Sequence, residues 1–559
     1  MLNKLVKKYG LFFLILLVAV VLRFMAISKV PPSLNWDEIS HGYNAYSILK
    51  TGKDEWGVSF PAIFRAYGDY KLPVYIYLTS VSEFFLGLSV LAVRLPSILA
   101  GIGVVIFTYL LAKELINKKV ALISAFLVAI EPWSLFLSRG AFEANLSLFF
   151  IVSGIYLFII GIKKTKWLPI SVILLGLSVW TYNSARVFVP LLLVALKFIY
   201  KKELLAVWKK KSKFVVLSTI LALIIFVPMF SQLLNPTGQA RYGWVAIIDE
   251  GAITKINEGR NLSELSPLLA RAVYNKGTYF VTQFTSNWFS HFSPEFLFYE
   301  GGSHYQFSVP RHGLIYIVNL LFFLIGLVVL IKKPNKGSLL LLTWLFLAPI
   351  PSSLTREAPH VLRAITMLPI PMIISASGFI ALIEWFDKKY RSLLIVAYII
   401  ILAAFARNYL FEYFGDYRKD YSWSWQYGYE QAVSYVKQNY DQYDKVIVTK
   451  KYGEPHEFFL YFWPWNPSDY RNDENLIRFH QTDWYWVDAF DKLYFVNDWE
   501  MPSEGATFVL ESKKEIDCND SSCLLITSPG NYPYGWDKLD TIKFLNDVPA
   551  FEIYEKTIK

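Results

Sequence analysis

Long apolar runs separated by short basic loops dominate the first three quarters of the chain. A helix that crosses a bilayer needs roughly 20 mostly apolar residues, and many of these runs approach that length. The pattern predicts about eleven spans, near residues 10–27, 94–112, 120–137, 142–161, 167–181, 185–199, 214–230, 313–331, 338–351, 361–383 and 392–409. A shorter apolar helix over 73–87 is predicted to lie at the membrane interface. The chain is therefore predicted to be a polytopic, mainly α-helical membrane protein.

Alternate loops between the predicted spans carry clusters of basic residues, which mark cytoplasmic loops under the positive-inside rule. These clusters include Lys118 with Lys119, Lys163 with Lys164, and Lys332 with Lys333. We therefore expect a cytoplasmic N-terminus, and we interpret its apolar segment as a retained first span rather than a cleaved signal peptide. Because the basic residues follow the topology, the net charge of +10 does not indicate a nucleic-acid partner.

This topology predicts a transmembrane domain over residues 1–410 that carries two long outer-face loops, 28–72 and 231–311. The segment 411–559 differs in character. Its stretches "KVIVTK", "KLYFVND" and "ATFVLES" are typical of strands, and "GYEQAVSYVKQNY" and "EPHEFFLYF" are typical of helices. The segment is predicted to be a small extracytoplasmic α/β domain. The two cysteines of "DCNDSSC" are expected to form one local disulfide if they face an oxidising compartment.

The first outer loop places two acids and a histidine in "LNWDEISHGY". Asp37, at a water–lipid boundary, is a candidate general base, with Glu38 beside it. Two alternatives exist for Asp37. It could N-cap a helix that runs to about Ile48, or it could bind a metal with His41 one helical turn later. Since no further ligand accompanies that pair, we assign no metal site.

Lys71 precedes a proline in "GDYKLP". Pro73 at the first position of a helix would leave Lys71 beside the positive end of the helix dipole. Free amides together with an ammonium group make an anion site suited to phosphate. The alternative is a lysine that extends to the lipid headgroups.

The segment "TREAPHVLRA" repeats this arrangement. Pro359 is predicted to begin the tenth span, with His360 and Arg363 in its first turns. Arg363 would lie inside the apolar zone and would need an anionic partner. That partner is a lipid phosphate or, alternatively, Glu357 or Glu143.

Two further charged residues lie at predicted outer ends of spans. Glu143 begins the fourth span and either belongs to the catalytic or acceptor site or pairs with Arg139 one turn earlier. Arg186, in "TYNSARVF", is a second candidate for binding the phosphate. We predict that these acidic and basic residues converge with Asp37 and Lys71 in one outward cavity at headgroup depth.

An acid pair after the first span, a base before a proline-initiated helix and "VRLPSILAGI" together resemble the GT-C superfamily of membrane glycosyltransferases. Within it, the chain is similar to the family-39 group, which includes protein O-mannosyltransferases and the aminoarabinose transferase of lipid A. The resemblance covers residues 10–200 best, and "APHVLRAITMLP" also resembles bacterial members.

The resemblance implies a polyprenyl-phosphate sugar donor, an outward-facing site and inversion at the anomeric carbon. It matches Asp37 to the catalytic acid of the first loop, Glu38 to its neighbour and Lys71 to the contact with the lipid phosphate. Glu143 stands where relatives often have Asp. Where many members read Lys-Pro-Pro, this chain has Lys71-Leu72-Pro73, so one proline is missing.

Together these observations predict an inverting glycosyltransferase of the plasma membrane that transfers a sugar to a hydroxyl of a protein, lipid or glycan. Membrane lipids are its other expected partners, and a divalent cation is possible but not required. The alternative is a transporter or flippase of lipid-linked sugars. Transporters place ionisable residues near the middle of the membrane, whereas the central parts of these spans carry almost none.

Overall fold

The computed structural model describes four stretches of the chain, residues 2–68, 70–209, 212–481 and 484–557. It divides into two compact units, Met1–Met25 with Ser97–Leu410 and Ala26–Pro96 with Phe411–Lys559. The first unit is built from helices, and the second combines helices with a β-sheet. The predicted class, a mainly α polytopic protein with a C-terminal part that contains strands, is confirmed.

Helices of the first unit commonly begin at an asparagine whose side chain accepts a backbone hydrogen bond, as at Asn117, Asn275 and Asn335. The α-helices that lie wholly in this unit are Leu2–Phe24, Lys118–Ile130, Pro132–Leu137, Glu143–Lys163, Leu168–Val179, Asn183–Ile199, Lys201–Lys209, Lys213–Leu233, Pro236–Val245, Glu250–Asn261, Pro267–Val273, Lys276–Ser290, Asn319–Lys332, Lys336–Leu347, Ile350–Ser353 and Ile370–Trp385. Two more, Val90–Leu115 and Lys388–Phe414, each contain a unit boundary.

Among the residues that the structure describes, five helices are long and apolar enough to cross a membrane. They are Val90–Leu115, Glu143–Lys163, Lys213–Leu233, Ile365–Trp385 and Lys388–Asp420. A sixth results if Asn183–Ile199 and Lys201–Lys209, which are bent by 84°, count as one span. Only 11% of the apolar window of Lys213–Leu233 is buried inside the protein. Such an exposed apolar surface suits contact with lipid.

This number is smaller than the predicted eleven because several apolar runs are interrupted. The run over 120–137 is divided where Lys118–Ile130 ends and a new helix begins at Pro132. Proline lacks an amide hydrogen and displaces the preceding turn, so it favours a helix start over a helix interior. Other predicted spans correspond to shorter apolar helices, Tyr9–Phe24, Thr165–Val179 and Asn319–Lys332.

Of the predicted outer-face site residues, the second unit contains Asp37, Glu38 and Lys71. Its α-helices are Trp36–Thr51, Pro73–Leu86, Asp416–Asp420, Tyr429–Asn439, Pro455–Phe462 and Pro467–Arg471. Its strands are β1 Phe64–Arg65, β2 Tyr70–Lys71, β3 Lys445–Thr449, β4 Ile477–Gln481, β5 Trp484–Phe490, β6 Leu493–Val496, β7 Thr507–Val509, β8 Glu515–Asp517, β9 Cys523–Thr527, β10 Asp537–Lys543 and β11 Pro549–Lys556. The three strands and two helices predicted in residues 411–559 are all present.

Seven of these strands form one sheet in the order β10-β11-β9-β3-β6-β5-β4. The central strand β3 pairs in parallel with β6 and β9, and the outer pairs are antiparallel. The central position explains why β3 is apolar and almost fully buried, as expected for a strand covered on both faces. A disulfide joins Cys518 to Cys523, the pairing expected from the sequence.

The structure groups residues 26–96 with the C-terminal part, whereas the sequence predicts that the loop 28–72 belongs to the transmembrane domain. Arg471 shows one physical reason. Its guanidinium donates hydrogen bonds to Ser47 Oγ at 3.0 Å, to the Asp54 carbonyl at 3.0 Å and to Thr51 Oγ1 at 3.1 Å. This arginine thereby ties the end of the helix Trp36–Thr51 to the C-terminal part of the chain.

Candidate active site

Asp37 and Lys71 form an ion pair in the second unit, with 2.7 Å between Asp37 Oδ1 and Lys71 Nζ. Asp37 lies in the first turn of Trp36–Thr51, and Lys71 ends strand β2 just before Pro73–Leu86. The Asp37 side chain is 45% exposed, whereas that of Lys71 is 14% exposed. The carboxylate therefore keeps an open side that another reactant can approach.

The helix that carries Asp37 is capped by Asn35. Asn35 Oδ1 accepts a hydrogen bond from the Glu38 amide at 2.9 Å, and Glu38 Oε2 accepts one from the Asn35 amide at 3.1 Å. This reciprocal pair is a capping box, which satisfies two amides at the start of the helix. The N-cap alternative for Asp37 is therefore wrong, because the cap lies two residues earlier and leaves the Asp37 side chain to Lys71.

Glu38 is buried and held by Arg94. The arginine donates from Nε to Glu38 Oε1 and from Nη2 to Glu38 Oε2, both at 2.9 Å. It also donates to backbone carbonyls of the chain that precedes the helix, those of Ile27, Pro31 and Ser33. Through these contacts Glu38 fixes the start of the helix that carries Asp37. The predicted catalytic role of Glu38 stays a prediction.

Lys71 stands directly before a helix that begins at proline, as predicted. Leu72 has an extended backbone, Pro73 occupies the first turn, and no side chain caps this end. Strand β2 pairs with β1 through Phe64–Lys71 and Arg65–Tyr70, which fixes the backbone of Lys71. Lys71 therefore lies two residues before the N-terminus of a helix, which is the positive end of the helix dipole.

The tyrosine of the connecting turn supports the same region. The Tyr67 hydroxyl donates to the Trp36 carbonyl at 2.8 Å, at the start of the helix that carries Asp37. Burial raises the pKa of Tyr67 well above its usual value, so the phenol keeps its proton and remains a donor. His41 lies one turn after Asp37, where its buried ring packs against Tyr75 with 5.2 Å between ring centroids.

The predicted helix start at Pro359 is wrong. The chain turns over residues 359–364, forms a short 3-10 turn at Ile365–Met367, and begins its α-helix only at Ile370. Leu368, which precedes Pro369, has ψ 145°. The ring of a proline disfavours helical backbone angles at the residue before it. The α-helix therefore begins after Leu368 and not before it.

Arg363 therefore lies in a turn and not at a helix N-terminus. Its guanidinium donates to Thr355 Oγ1 at 3.0 Å and to Glu357 Oε2 at 3.0 Å. The ion pair with Glu357 is one of the two protein partners proposed for Arg363 from the sequence. His360 lies in the same segment, where its Nδ1 accepts from the Arg363 amide at 3.3 Å and its ring packs against Phe307.

Glu143 begins the helix Glu143–Lys163, as predicted. Arg139, its predicted alternative partner, donates to the Arg23 carbonyl at 3.2 Å and to the Met25 carbonyl at 2.7 Å. The arginine thus hydrogen-bonds to backbone carbonyls at the C-terminal end of the helix Leu2–Phe24 and just after it.

Arg186 lies near the start of the helix Asn183–Ile199 and is buried. It donates from Nε to the Val179 carbonyl at 3.1 Å and from Nη2 to the side chain of Gln232. These bonds join three segments of the first unit.

Of the predicted site residues, the structure brings Asp37 and Lys71 into direct contact, and Glu38 is the buried neighbour of Asp37 in the chain. These three belong to the second unit, while Glu143, Arg186, His360 and Arg363 belong to the first. His360 and Arg363 are neighbours within that unit. The single cavity predicted for both sets stays a prediction.

Two features of the second unit were not assigned from the sequence. Arg94 is fully buried within an apolar stretch, and a charged group there requires an anionic partner, which was the available signal. The guanidinium of Arg65 lies between two rings, 4.9 Å from the centroid of Trp56 and 4.5 Å from that of Tyr485. Tyr485 lies hundreds of residues from Arg65 and Trp56 in the chain, so no local pattern indicated this arrangement.

Comparison with known proteins gives one family match and one curated relative. Residues 71–231 match the family described as dolichyl-phosphate-mannose-protein mannosyltransferase. A segment of 143 residues is 29% identical to a putative mannosyltransferase, YkcB, of Bacillus subtilis (strain 168). That segment is 25% of this chain and 20% of the Bacillus protein, so the chain matches only a fifth of the relative's length.

Solved structures share the fold over most of the chain. ArnT from Cupriavidus metallidurans, in the apo state and bound to undecaprenyl phosphate, has a TM-score of 0.54 at 11% identity and covers 98% of both chains. The apo oligosaccharyltransferase of Archaeoglobus fulgidus has a TM-score of 0.50 at 16% identity. This match covers 82% of the present chain and 64% of the archaeal one. At these identities the likeness concerns the fold alone.

The matched family, the Bacillus relative and both solved structures lie in one superfamily, the one that the sequence motifs resemble. The family match begins at Lys71, the lysine that pairs with Asp37. The ArnT fold extends over nearly the whole chain and includes both units. The match over residues 71–231 and the shared fold therefore agree with the resemblance to the GT-C superfamily.

Proposed function

We propose that this protein is an inverting glycosyltransferase that moves a sugar from a polyprenyl-phosphate donor to a hydroxyl acceptor. The observation that carries the proposal is the Asp37–Lys71 pair, a half-exposed carboxylate 2.7 Å from the ammonium group of a lysine that directly precedes the N-cap of a helix. A carboxylate can take the proton of the acceptor, and the ammonium with the helix amides can bind the phosphate.

The named relatives support a lipid-phosphate donor. One solved neighbour, ArnT, is described as bound to undecaprenyl phosphate. The matched family is named for dolichyl-phosphate-mannose, and the Bacillus relative is named as a putative mannosyltransferase. We propose a donor of the same chemical class for this chain, a sugar joined to a polyprenol through one phosphate.

Donor binding activates the base in this proposal. Without donor, Lys71 neutralises Asp37 through their ion pair. A donor phosphodiester at the helix N-terminus that follows Lys71 carries one negative charge and competes with Asp37 for the ammonium group, with the helix amides adding to its attraction. Lys71 then contacts the phosphate, and Asp37 becomes free to accept a hydrogen bond from the acceptor hydroxyl. The pair thus links donor binding to activation of the acceptor.

The transfer is a single in-line displacement. The acceptor oxygen forms a bond to the anomeric carbon while the bond from that carbon to the phosphate oxygen breaks. The bonding electrons leave with the phosphate, whose growing charge Lys71 stabilises, and the hydroxyl proton passes to Asp37. One displacement inverts the configuration at the anomeric carbon. The products are the glycosylated acceptor and polyprenyl phosphate.

We assign supporting roles to the other predicted residues. Arg363, with His360, and Arg186 are proposed to bind the donor phosphate, and Glu143 is proposed to belong to the acceptor or catalytic site. For Arg363 this requires competition with Glu357, its present partner. The Glu357 side chain is 63% exposed, and such an ion pair contributes little to stability and exchanges readily.

The proposed setting is the plasma membrane, with a cytoplasmic N-terminus and the second unit on the outer side. The Cys518–Cys523 disulfide supports this placement of the second unit, since disulfides persist in oxidising compartments. The proposed reaction requires no cofactor, because Lys71 together with an arginine can neutralise a monophosphate leaving group. Membrane lipids and a hydroxyl-bearing protein, lipid or glycan complete the expected partners.

Transfer from a radiolabelled polyprenyl-phosphate sugar by the purified full chain tests the proposal. The wild type should release polyprenyl phosphate and glycosylate added hydroxyl acceptors, and Asp37→Asn should reduce the rate by about 10²–10⁴-fold. Asp420→Asn is a matched control, because Asp420 is exposed in the same unit and outside the site. Movement of intact donor across vesicle membranes without breakage of the sugar–phosphate bond would instead identify a flippase.

A further inference from the structure

A second cluster of ionisable groups lies buried in the second unit, apart from the Asp37–Lys71 pair. It consists of Glu55, His456 and Glu457, whose residues are 3%, 2% and 1% exposed. One ligand atom from each side chain lies within 4.8 Å of those of the other two. Glu55 comes from the loop after the helix Trp36–Thr51, and the other two lie in the first turn of Pro455–Phe462. The fold thus brings together residues that are 400 positions apart.

Two atoms of this cluster lack a hydrogen-bond partner within the described part of the chain. They are His456 Nδ1 and Glu457 Oε2, and both are buried. The nearest carboxylate to His456 Nδ1 is Glu454 Oε2 at 3.6 Å, which is too long for a hydrogen bond. An unpartnered buried nitrogen and oxygen cost free energy unless something else satisfies them. His456 and Glu457 both belong to the group of side chains whose ligand atoms converge, so a ligand bound among these side chains would satisfy both atoms.

We propose that Glu55, His456 and Glu457 bind a divalent transition-metal ion of the zinc class. One imidazole nitrogen and two carboxylate oxygens suit zinc, manganese or cobalt, whereas magnesium and calcium prefer all-oxygen ligands. Ligands about 2.0–2.1 Å from a tetrahedral zinc ion are about 3.4 Å apart, so small side-chain rotations close the site. The proposal is independent of the proposed transfer reaction.

Charge supports this assignment. Two ionised carboxylates that share a buried site repel each other. One divalent ion would neutralise the pair without burying a net charge.

The surrounding groups fix the ligands and balance the remaining charge. Asn44 Nδ2 donates to Glu55 Oε2 at 3.2 Å, which orients that carboxylate. Arg478 adds a positive charge and donates to the Glu55 carbonyl at 2.9 Å. Glu454, held by Trp484 Nε1 at 2.9 Å, supplies a nearby negative charge. Such outer partners commonly orient the ligands of a metal site.

The ion would act structurally by joining two segments of the second unit. It would fix the loop of Glu55 to the helix Pro455–Phe462, and Ser47 and Thr51 of the preceding helix already bind Arg471 in the same part of the unit. All three proposed ligands are buried. We therefore assign the ion a structural role, in which it cross-links a loop to a helix, rather than a catalytic one.

Metal uptake by the purified full chain tests the proposal. The protein is stripped with a chelator, dialysed, and titrated separately with Zn²⁺, Mn²⁺ and Co²⁺, with bound metal measured by mass spectrometry and cobalt by its visible absorption. We expect one ion per chain. His456→Gln and Glu457→Gln should each weaken binding by about a hundredfold or more. His480→Gln, an exposed histidine in the same unit, should leave binding unchanged.

Wild-type protein that binds none of the three ions at stoichiometric level would overturn the proposal, as would unchanged affinity in both ligand variants. If a variant fails to fold, the melting temperature of the stripped wild type decides the question. A ligand that binds only the folded state raises that temperature with concentration. No rise on addition of Zn²⁺, Mn²⁺ or Co²⁺ would also contradict the proposed site.

Discussion

Arg94 holds Glu38 through two hydrogen bonds of 2.9 Å, and both side chains are almost fully buried. The adjacent Asp37 has the opposite environment, with a side chain that is 45% exposed and paired with Lys71. Two carboxylates next to each other in the chain therefore have different tasks. Glu38 fixes the start of the helix, and Asp37 is available for chemistry.

Loss of one partner of the buried pair should destabilise the fold strongly. Glu38→Gln or Arg94→Met leaves a buried charge uncompensated, which costs about 3–5 kcal/mol. Thermal or denaturant unfolding of the full chain in detergent measures this cost. Asp37→Asn is the comparison and should cost less, because the Asp37 side chain is half-exposed and asparagine still offers Lys71 an accepting oxygen. Equal melting temperatures for Glu38→Gln and Asp37→Asn would contradict the different roles assigned to the two acids.

The capping box predicts a smaller effect at Asn35. Asn35→Ala removes the oxygen that accepts from the Glu38 amide and should cost about 1 kcal/mol of unfolding free energy. Asn35→Ser retains a capping oxygen and should recover most of that loss. The comparison is made by denaturant unfolding of the two variants and the wild type. If Ser and Ala at this position were equally destabilising, the hydrogen bond would not be the source of the effect.

Lys71 should affect turnover more than folding. Lys71→Ala removes a charge that contacts the leaving phosphate, which typically costs about 10²–10³-fold in rate. Lys71→Arg keeps the positive charge and should retain more activity. Steady-state transfer from a polyprenyl-phosphate sugar measures both, with Lys53→Ala as an exposed control in the same unit. A Lys71→Ala enzyme with the wild-type rate would exclude Lys71 from phosphate binding.

Glu454 should make stability depend on pH. Burial raises the pKa of its carboxyl to about 7 from a usual value of 4.5. Because the folded-state pKa is the higher one, the stabilisation is fully present below pH 4.5 and is lost as pH rises through about 7. The charges and donors that face this carboxyl are Trp484, Lys450, Glu55, Glu511 and His456.

Unfolding measured from pH 4.5 to 8, with a chelator present, checks this prediction against Glu454→Gln. The neutral glutamine should flatten the pH dependence by up to about 3 kcal/mol, since one pKa unit corresponds to about 1.4 kcal/mol. Parallel pH profiles for the wild type and Glu454→Gln would show that this carboxyl titrates at the same pH in the folded and unfolded states.

Two prolines show how far local sequence predicts this structure. Pro73 stands alone before an apolar run, so its missing amide and fixed φ mark a helix start that the structure retains. Pro359 is followed by Pro369 and Pro371, and the later prolines delay the helix until Ile370. The first pattern needs only local rules, whereas the second depends on which of several breaks the chain adopts.

Contacts between residues far apart in the sequence could be anticipated only where a charged residue in an apolar environment required an oppositely charged partner. Asp37 and Lys71 were both selected as outer-face charges, but their direct contact depends on the packing of two helices. The cluster of Glu55 with His456 and Glu457 was not predicted, since "EPHEFF" reads locally as an ordinary helix start. Hydrophobic periodicity describes single elements, so it cannot show that residues from two distant parts of the chain meet in one domain.

The separation of donor binding from turnover in Asp37→Asn tests the central claim most directly. A carboxylate that accepts the acceptor's proton is needed for transfer but does not hold the donor phosphate. The account therefore predicts that Asp37→Asn, in which the carboxylate no longer competes with the phosphate for Lys71, binds a radiolabelled polyprenyl-phosphate sugar at least as tightly as the wild type, yet transfers about 10²–10⁴-fold more slowly in a single turnover. Transfer at the wild-type rate by this variant would contradict the account.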